Sequence, residues 1–499
     1  MSVTTDRPQT EGGETFDSLA PATGDVVATL PVHGEGEVRE AVQRARKAAQ
    51  WWGALPFEER GRRLRAYAGV LARRRDELLD LISRENGKPR VDALIEHTLV
   101  LEHLNWAAKN AKRIMKPRKV SGSMLLSNIK PILEYQPLGV VGVIGPWNYP
   151  LFTPMGSIAY ALAAGNAVVF KPSEYTPAIG VWLAEAFKEV VPEQPVFQVV
   201  TGFGETGAAL CRAGVDKLAF TGSAPTGRKI MAACADTLTP VLLELGGNDA
   251  LLVDSDADVH AAARAALWGG CSNAGQTCIG IERVYVVDTV YDKFIDEITT
   301  LAADVRAGEG AALGPMTMPK QIDVVQAHVD DALSRGARAV VGGAGSIRAP
   351  WIDPIVLVDV PDDARMMREE TFGPVLAVTR VSSLDEAVEK ANRTSYGLGA
   401  AVFGKKRGYD AARKLRSGMA SVNSALSFAG FPALPFGGVG ESGFGRIHGE
   451  DGLKEFTRPK SIAKVKYSVP IEMMAFDRPA WLPSMIERMD NFRFGRRKG

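Results

Sequence analysis

The chain has 499 residues, 46% of them hydrophobic and 23% charged, with 59 Lys and Arg against 58 Asp and Glu for a formal net charge of +1. So even a balance speaks against a nucleic-acid or polyanion binder, whose basic face normally shows in the total, and the apolar content is too high for disorder. Single hydrophobic cores stop growing at roughly 250 to 300 residues, so at least two domains are expected.

Residues 1–12 are polar and are expected to fray. From Gly36 to Ala111 leucines recur at helical spacing among charges, as in EERGRRLRAYAGVLARRRDELLDLISREN, where the run Arg73 to Arg75 reads as a solvated helix face because acidic residues follow it. After Lys116-Pro117 short β-branched runs alternate with amphipathic stretches. Val140 to Ile144, Ala167 to Phe170, Val196 to Val200 and Lys217 to Phe220 read as strands, and Tyr149 to Ala164, Ala178 to Val190, Glu205 to Ala213 and Thr226 to Ala235 as helices. This alternation predicts a doubly wound parallel sheet with ligands at the carboxyl ends of its strands. A second series follows Gly246-Gly247, with strands at Ala250 to Val253, Val284 to Val287, Ala339 to Gly342 and Val375 to Val381 and helices from Val259 to Trp268 and on to Val305. It predicts a second α/β domain. Ile129 to Tyr135 and Ser461 to Val465 are strand-like but outside both series, and such excursions suit pairing with another chain through exposed edges.

No apolar run approaches the roughly 18 residues of a membrane span, and the start MSVTTDRPQTEGGETF lacks the basic-then-apolar layout of a signal peptide, so a cytoplasmic protein is expected. The four cysteines (Cys211, Cys234, Cys271 and Cys278) form no CxxC pair, and the six histidines form no HExxH or other cluster at ligand spacing. Neither a disulfide framework nor a metal is expected.

Several segments could carry chemistry. Gly202-Phe203-Gly204-Glu205-Thr206-Gly207 satisfies GxGxxG after a predicted strand, where backbone amides and a helix N-terminus can approach a nucleotide, although with 51 glycines the pattern alone is weak. Phe220 to Gly227 (FTGSAPTG) is a second strand-to-helix turn, suited to a pyrophosphate or equally to an N-cap by Ser223. Lys171-Pro172-Ser173-Glu174 puts a cation and a carboxylate at the sheet's carboxyl edge, able to meet ribose hydroxyls or to form a surface ion pair. Ser272 to Cys278 (SNAGQTC) is a polar loop ending in a thiol that, ionised, is a strong nucleophile toward carbonyl carbon; Cys211, Cys234 and Cys271 have apolar and small neighbours and read as inert core residues. Glu244, in LELGGN, is either a buried general base with a raised pKa or a carboxylate held by backbone amides. Asn148, between Pro146 and Pro150, either donates to a developing oxyanion or serves a turn.

Taken in order, GVIGPWNYP, FKPSE, FTGS, LELGG, GQTC, EETFGPV (Glu369 to Val375) and PFGGVGESGFGR (Pro435 to Arg446) resemble the NAD(P)-dependent aldehyde dehydrogenase superfamily across essentially the whole chain. The resemblance implies an α/β fold with a doubly wound dinucleotide-binding domain (1–118 and 138–246), a second α/β catalytic domain (247–445), and a small bridging or oligomerisation element with the C-terminal tail (119–137 and 456–499). It implies oxidation of an aldehyde to the acid through a cysteine thiohemiacetal and thioester, with Cys278 as nucleophile, Asn148 and the Cys278 amide as oxyanion hole, and Glu244 as general base. Glu244 also argues against the acylating branch, which transfers the acyl group to coenzyme A and lacks this glutamate. A catalytically silent structural relative would typically lack the cysteine or the glutamate, and both are present.

NAD is the implied cofactor, with NADP the weaker alternative, since a carboxylate repels a 2′-phosphate. Lys171 and Glu174 match the adenosine-ribose positions, Ser223 a pyrophosphate contact, and Glu370 and Phe372 the nicotinamide side. Ile144, Pro146, Trp147, Ser173, Gly204, Phe220, Thr221, Gly222, Gly227 and Leu245 complete the expected cofactor contacts.

Tyr149, Phe152, Phe428 and Phe431 fall in segments that line the family's substrate tunnel, with no obvious arginine to pair with a substrate carboxylate, so a hydrophobic aliphatic or aromatic aldehyde is expected. The PFGGVGESGFGR form and extended C-terminus resemble the branch handling fatty and aromatic aldehydes. The alternative is a succinate-semialdehyde dehydrogenase, because some actinobacterial-type enzymes of that kind share the features at Ser272 to Ile279 and Ile281 to Arg283. A homodimer or homotetramer is expected, and no nucleic-acid partner. In the tail, Trp481, Leu482, Met485, Ile486, Met489 and Phe492 recur mostly at intervals of three and four ahead of Arg493, Arg496, Arg497 and Lys498. Such a helix packs its apolar face on protein or, on a sharper reading, makes a weak peripheral contact with anionic lipid.

Overall fold

Val140–Ile144 is apolar and buried at all five residues, which suits a strand in the middle of a parallel sheet covered on both faces. The computed structural model, which describes residues 13–123, 125–470, 473 and 475–495, places it there. The six-stranded sheet runs in the order Gly443–Phe444, Val241–Glu244, Lys217–Thr221, Val140–Ile144, Ala167–Lys171, Phe197–Val199. All neighbours are parallel except the edge strand Gly443–Phe444, which returns from the far end of the chain antiparallel to Val241–Glu244. Chain order reverses between Val140–Ile144 and Lys217–Thr221, so the crevice at a doubly wound sheet's switch point opens beyond Ile144 and Phe220.

The second sheet has seven strands, in the order Arg338–Val341, Ile355–Val358, Val375–Val381, Ile281–Val287, Asp249–Val253, Ala400–Phe403, Ser421–Val422. Only the first pair is antiparallel. Ile355–Val358 and Ala400–Phe403 have no counterpart in the sequence-based strands, because four apolar residues carry too little periodicity to be recognised. The hairpin Thr15–Leu19 with Val26–Pro31 was likewise invisible to the periodicity.

Around the first sheet, the long helical stretch resolves into Glu35–Ala54, Phe57–Arg73, Arg75–Asn86 and Arg90–Met115. Pro56 precedes the second of these and Gly87, at φ +83°, ends the third. Arg73 to Arg75 therefore lies at a helix junction rather than on one continuous face, with Arg74 pairing Glu77 and Glu189. Helix Phe152–Ala164 is buried at every residue from Pro154 onward, as an all-round apolar helix must be.

Contacts divide the chain into two units, residues 1–114 with 136–458 and residues 115–135 with 459–499. The smaller is built on a three-stranded sheet in which Ile129–Pro137 lies between Arg118–Lys119 and Thr457–Val465, so the two strand-like excursions pair with each other. Its helix Leu482–Arg493 buries Leu482 but exposes Met485 and Phe492. The expected fraying of residues 1–12 and the basic residues Arg496, Arg497 and Lys498 lie outside the described residues. Among the described residues no helix is long and apolar enough to cross a membrane, and no group of three His, Cys, Asp or Glu could hold a metal ion.

Candidate active site

Helix Val259–Cys271 delivers the chain into a tight loop in which Asn273, Ala274 and Gly275 adopt φ of +54°, +55° and +72°. Two non-glycine residues in the left-handed region cost of order 1–3 kcal/mol each and persist only where the surroundings over-determine them. A Cβ on Gly275 would lie 2.0 Å from the Gly373 carbonyl carbon, which explains the glycine in GQTC. The Gln276 side chain donates to the Asn273 carbonyl at 2.9 Å and accepts from the Thr317 amide at 2.8 Å. Thr277 hydrogen-bonds the Tyr149 hydroxyl at 3.0 Å. Cys278 follows directly.

Asn148 interlocks with this loop. Its Nδ2 donates to the Gln276 carbonyl at 3.0 Å, and its own carbonyl accepts from Asn273 Nδ2 at 3.0 Å. A side-chain amide nitrogen carries two hydrogens, and this bond uses one of them. Tyr149 is fixed from its other face by Lys88, whose Nζ lies 3.8 Å from the ring centroid. Lys88 is paired at 2.5 Å with Glu96, which also accepts from the Leu151 and Phe152 amides at 2.8 and 2.7 Å. Both ends of that ion pair are fully buried, and removing one partner of such a pair costs about 3–5 kcal/mol.

Two cavities meet at half-buried Cys278. One, of about 300 Å³, is bordered by Pro146, Trp147, Asn148, Thr221, Gly222, Ser223, Leu245, Glu370 and Phe372. The other, of about 270 Å³, is bordered by Tyr149, Phe152, Trp268, Ile279, Leu426 and Phe436 together with Ile95 and Leu99. Phe428 and Phe431 do not line it: Phe428 packs toward Gly399 and Phe431 is exposed, while Phe436 and Trp268 take the aromatic positions.

Electrostatics follow burial. Glu244 ends strand Val241–Glu244, is 3% exposed, and neither carboxylate oxygen has a hydrogen-bond partner. The alternative of a carboxylate held by backbone amides is therefore not met, and burial holds its pKa well above the usual glutamate range, with Arg446 pulling the other way. Burial also raises the Cys278 thiol, reinforced by the negative charges of Glu370, Asp249 and Glu244. Both effects favour the thiol over the thiolate, the form that attacks carbonyl carbon. Glu370 is raised by burial too, and its Oε1 accepts from the Gly247 amide at 2.8 Å.

The expected cofactor residues divide in two. Pro146, Trp147, Thr221, Gly222, Ser223, Leu245, Glu370 and Phe372 border the first cavity; Ile144, Lys171, Ser173, Glu174, Gly204, Phe220 and Gly227 do not. Lys171 is nevertheless beside Ile144 in the sheet register, at the carboxyl edge, with Nζ 3.5 Å from Glu174 Oε2. A Cβ on Gly207 of the GxGxxG run would sit 3.8 Å from Lys171 Cδ, so that helix start lies at the same edge, where Gly204 is open. Ser223 stands at the N-cap of helix Ala224–Ala235 without a side-chain cap hydrogen bond, its hydroxyl 3.0 Å from that of Thr226. A cavity ending at a helix N-terminus with a cap hydroxyl that does not bond the helix backbone fits a pyrophosphate, and the Lys171–Glu174 edge fits a ribose.

Cys271 ends its helix inside the core of the second sheet, and Cys211 and Cys234 are buried against each other. The sequence reading missed the residues that hold the site. Glu282 accepts from the Thr371 and Phe372 amides at 2.9 and 2.8 Å and from Asn248 Nδ2 at 2.8 Å. Arg283 donates to the Asn248 carbonyl at 2.7 Å. The feature at Ile281 to Arg283 is thus a buried clamp on the EETF loop and borders neither the apolar cavity nor its mouth. Its one sequence signal was a charged pair opening an otherwise apolar strand.

A profile of the aldehyde dehydrogenase family matches residues 8–462. The chain belongs to the aldehyde dehydrogenase family. This aldehyde dehydrogenase is 36% identical over 485 residues to a 4,4′-diapolycopene aldehyde oxidase of a Methylomonas species, covering 96% of the chain and 90% of that protein. It is 36% identical over 450 residues to a putative succinate-semialdehyde dehydrogenase [NADP(+)] of Mycolicibacterium smegmatis, covering 88% and 87%. The solved structure of PnpE in complex with nicotinamide adenine dinucleotide superposes with a TM-score of 0.86 at 32% identity, over 93% of this chain and 97% of the other. The enzyme is an oxidoreductase of α/β fold that oxidises an aldehyde to the carboxylic acid and uses a nicotinamide dinucleotide.

Proposed function

We propose that this aldehyde dehydrogenase acts on a hydrophobic aliphatic or aromatic aldehyde, with NAD preferred over NADP. The observation that carries the reading is the meeting at Cys278 of two cavities, one bordered by the strand-end turns around Ser223 and Glu370 and the other walled mainly by apolar side chains. Among the described residues no lysine or arginine borders the apolar side, so a substrate carboxylate finds no counter-ion among them, which weighs against succinate semialdehyde.

Cys278 Sγ attacks the aldehyde carbon after Glu244, the unpaired buried carboxylate whose charge is felt at the thiol, takes its proton. The second hydrogen of the Asn148 amide and the Cys278 backbone N–H hold the resulting oxyanion. The chemistry a bound nicotinamide supplies is acceptance of the hydride that leaves the thiohemiacetal carbon. Trp147, Glu370 and Phe372 would hold that ring, Thr221 to Ser223 the pyrophosphate, and Lys171 with Glu174 the adenosine ribose. Glu244 passes the thiol proton to solvent and, a carboxylate again, takes a proton from the water that attacks the thioester, with Cys278 leaving as the thiolate.

The NAD preference rests on Glu174, half-exposed at the ribose edge, with Lys171 engaged by it rather than free to meet a 2′-phosphate. The division into a dinucleotide-binding domain, a catalytic domain and a bridging element follows the two sheets and the smaller unit, with Gly443–Phe444 returning to the first sheet. A cytoplasmic homodimer or homotetramer is the assembly we favour. The exposed Trp481, Met485, Phe492 and Phe494 make a weak lipid contact the sharper reading of the tail. A truncation ending at Asp477 tests it: lost liposome co-sedimentation with intact oligomer and kinetics supports lipid contact, whereas a lost oligomer supports packing.

Purified enzyme incubated with NAD and hexanal, with succinate semialdehyde in parallel, tests the whole reading by NADH absorbance. Faster NADH formation with hexanal is expected. A higher kcat/KM for succinate semialdehyde overturns the substrate class, and a higher kcat/KM with NADP overturns the cofactor preference.

A further inference from the structure

Helix Arg90–Met115 presents Asp92, Ile95, Glu96 and Leu99 to the apolar cavity, the i, i+3, i+4, i+7 stripe of a single helical face. Two of these four carry carboxylates, and among the described residues they are the only charged ones on the cavity wall. They are not equivalent. Glu96 is spent: one oxygen takes the Leu151 and Phe152 amides and the other the Lys88 ammonium, itself fully buried. Asp92 is half-exposed, and the Lys88 ammonium, the Asn273 backbone of the catalytic loop and the Glu96 carboxylate all act on its carboxyl. Burial raises the Asp92 carboxyl, opposed by Lys88 and the Asn273 N–H, and its place in the first turn of the helix favours the anion as well. With Lys88 cancelling Glu96, one uncompensated negative charge is left on a wall otherwise made of apolar and hydroxyl side chains.

We propose that Asp92 is a specificity-determining residue whose carboxylate bars aldehydes that carry a carboxylate of their own, such as ω-acid semialdehydes, from the cavity leading to Cys278. The inference rests on the reading of that cavity as the aldehyde site. At an effective dielectric near 20, two like charges a cavity's length apart are enough for a roughly ten- to fiftyfold discrimination.

The test is kcat/KM for hexanal and for succinate semialdehyde at mildly alkaline pH, in wild type, Asp92→Asn and Asp92→Lys. The ratio of succinate semialdehyde to hexanal should rise about tenfold in Asp92→Asn and further in Asp92→Lys. In the wild type alone the same ratio should rise with added salt, because screening weakens the repulsion of an incoming anion, and this measurement stands even if both variants fail to fold. A ratio that stays within about twofold, or a parallel fall for both substrates, overturns the proposal and leaves Asp92 as a strut for the Asn273 loop. Wild type that prefers succinate semialdehyde to hexanal overturns instead the reading of the cavity.

Discussion

The cavity around Ser223 and Glu370 and the apolar cavity around Tyr149 and Trp268 share Cys278 but differ in construction. The former is made largely of turns at strand ends, where backbone geometry admits few residue types. A Cβ on Gly246 would lie 2.2 Å from Glu370 Oε2, and one on Gly222 would lie 2.5 Å from the Phe220 ring. The apolar one is assembled from a helix face near residue 95, a helix start near 150, an exposed tryptophan at 268 and a loop near 430. Backbone constraint makes the first rigid and recognisable; the second tolerates any side chains of suitable size, so substrate choice can change without disturbing the chemistry.

Variants at the shared residue and on either side of it test this division. Cys278→Ala should lower aldehyde oxidation by at least about a thousandfold while NAD binding, followed by fluorescence titration, stays nearly intact, because the proposed nucleophile meets only one end of the dinucleotide cavity. Cys271→Ala, in the core of the second sheet, should keep most activity; the reverse pattern would overturn the assignment of the loop. Asn148→Ala should cost about 100- to 1,000-fold in kcat, the usual effect of deleting one oxyanion donor, and a change confined to KM would remove it from that role.

Glu244→Gln should lower steady-state kcat by about 100- to 10,000-fold. The same variant carries a stability signature with a definite sign. A carboxyl raised in the fold favours its neutral form there, so its stabilisation is complete below the ordinary value of 4.5 and is lost as pH rises through the folded-state value. Glu244→Gln should therefore melt above wild type in alkaline buffer, with the gap closing below the ordinary value. Asp249 and Glu282, each raised to about 7 by burial, should add a fall in wild-type Tm as pH rises through neutrality. A Tm difference independent of pH would show that Glu244 is already charged and paired. The smallest effect is expected at Glu174→Gln, which should narrow the NAD over NADP ratio of kcat/KM by severalfold; an unchanged ratio would place the ribose elsewhere.

Much of the first sheet was legible because parallel strands buried on both faces read as unbroken apolar runs: Val140–Ile144 has the same bounds in sequence and structure. The four-residue strands of the second sheet and the hairpin at Thr15–Leu19 were not, since short or half-exposed runs leave no period to detect. At the site, Cys278, Asn148 and Glu244 stood out because each sits in a motif whose spacing a turn or strand end demands. The clamps Gln276, Glu282 and Arg283 and the Lys88–Glu96 pair did not, because a charged residue in sequence gives no sign of the amide it will meet across the fold. Ser223 shows the converse: a hydroxyl at an N-cap position looked like a cap, and only its turn toward Thr226 separated the two readings.

By itself the sequence determined the fold class, the family and the order of its motifs, since these depend on local periodicity and on glycines that tight turns cannot replace. Tertiary structure alone decided which charges are compensated. Whether Glu96 is spent and Asp92 is not, whether Glu244 has a partner, and which aromatics line the substrate side all depend on side chains brought together from distant segments, where burial and the low dielectric set the energy of each charge.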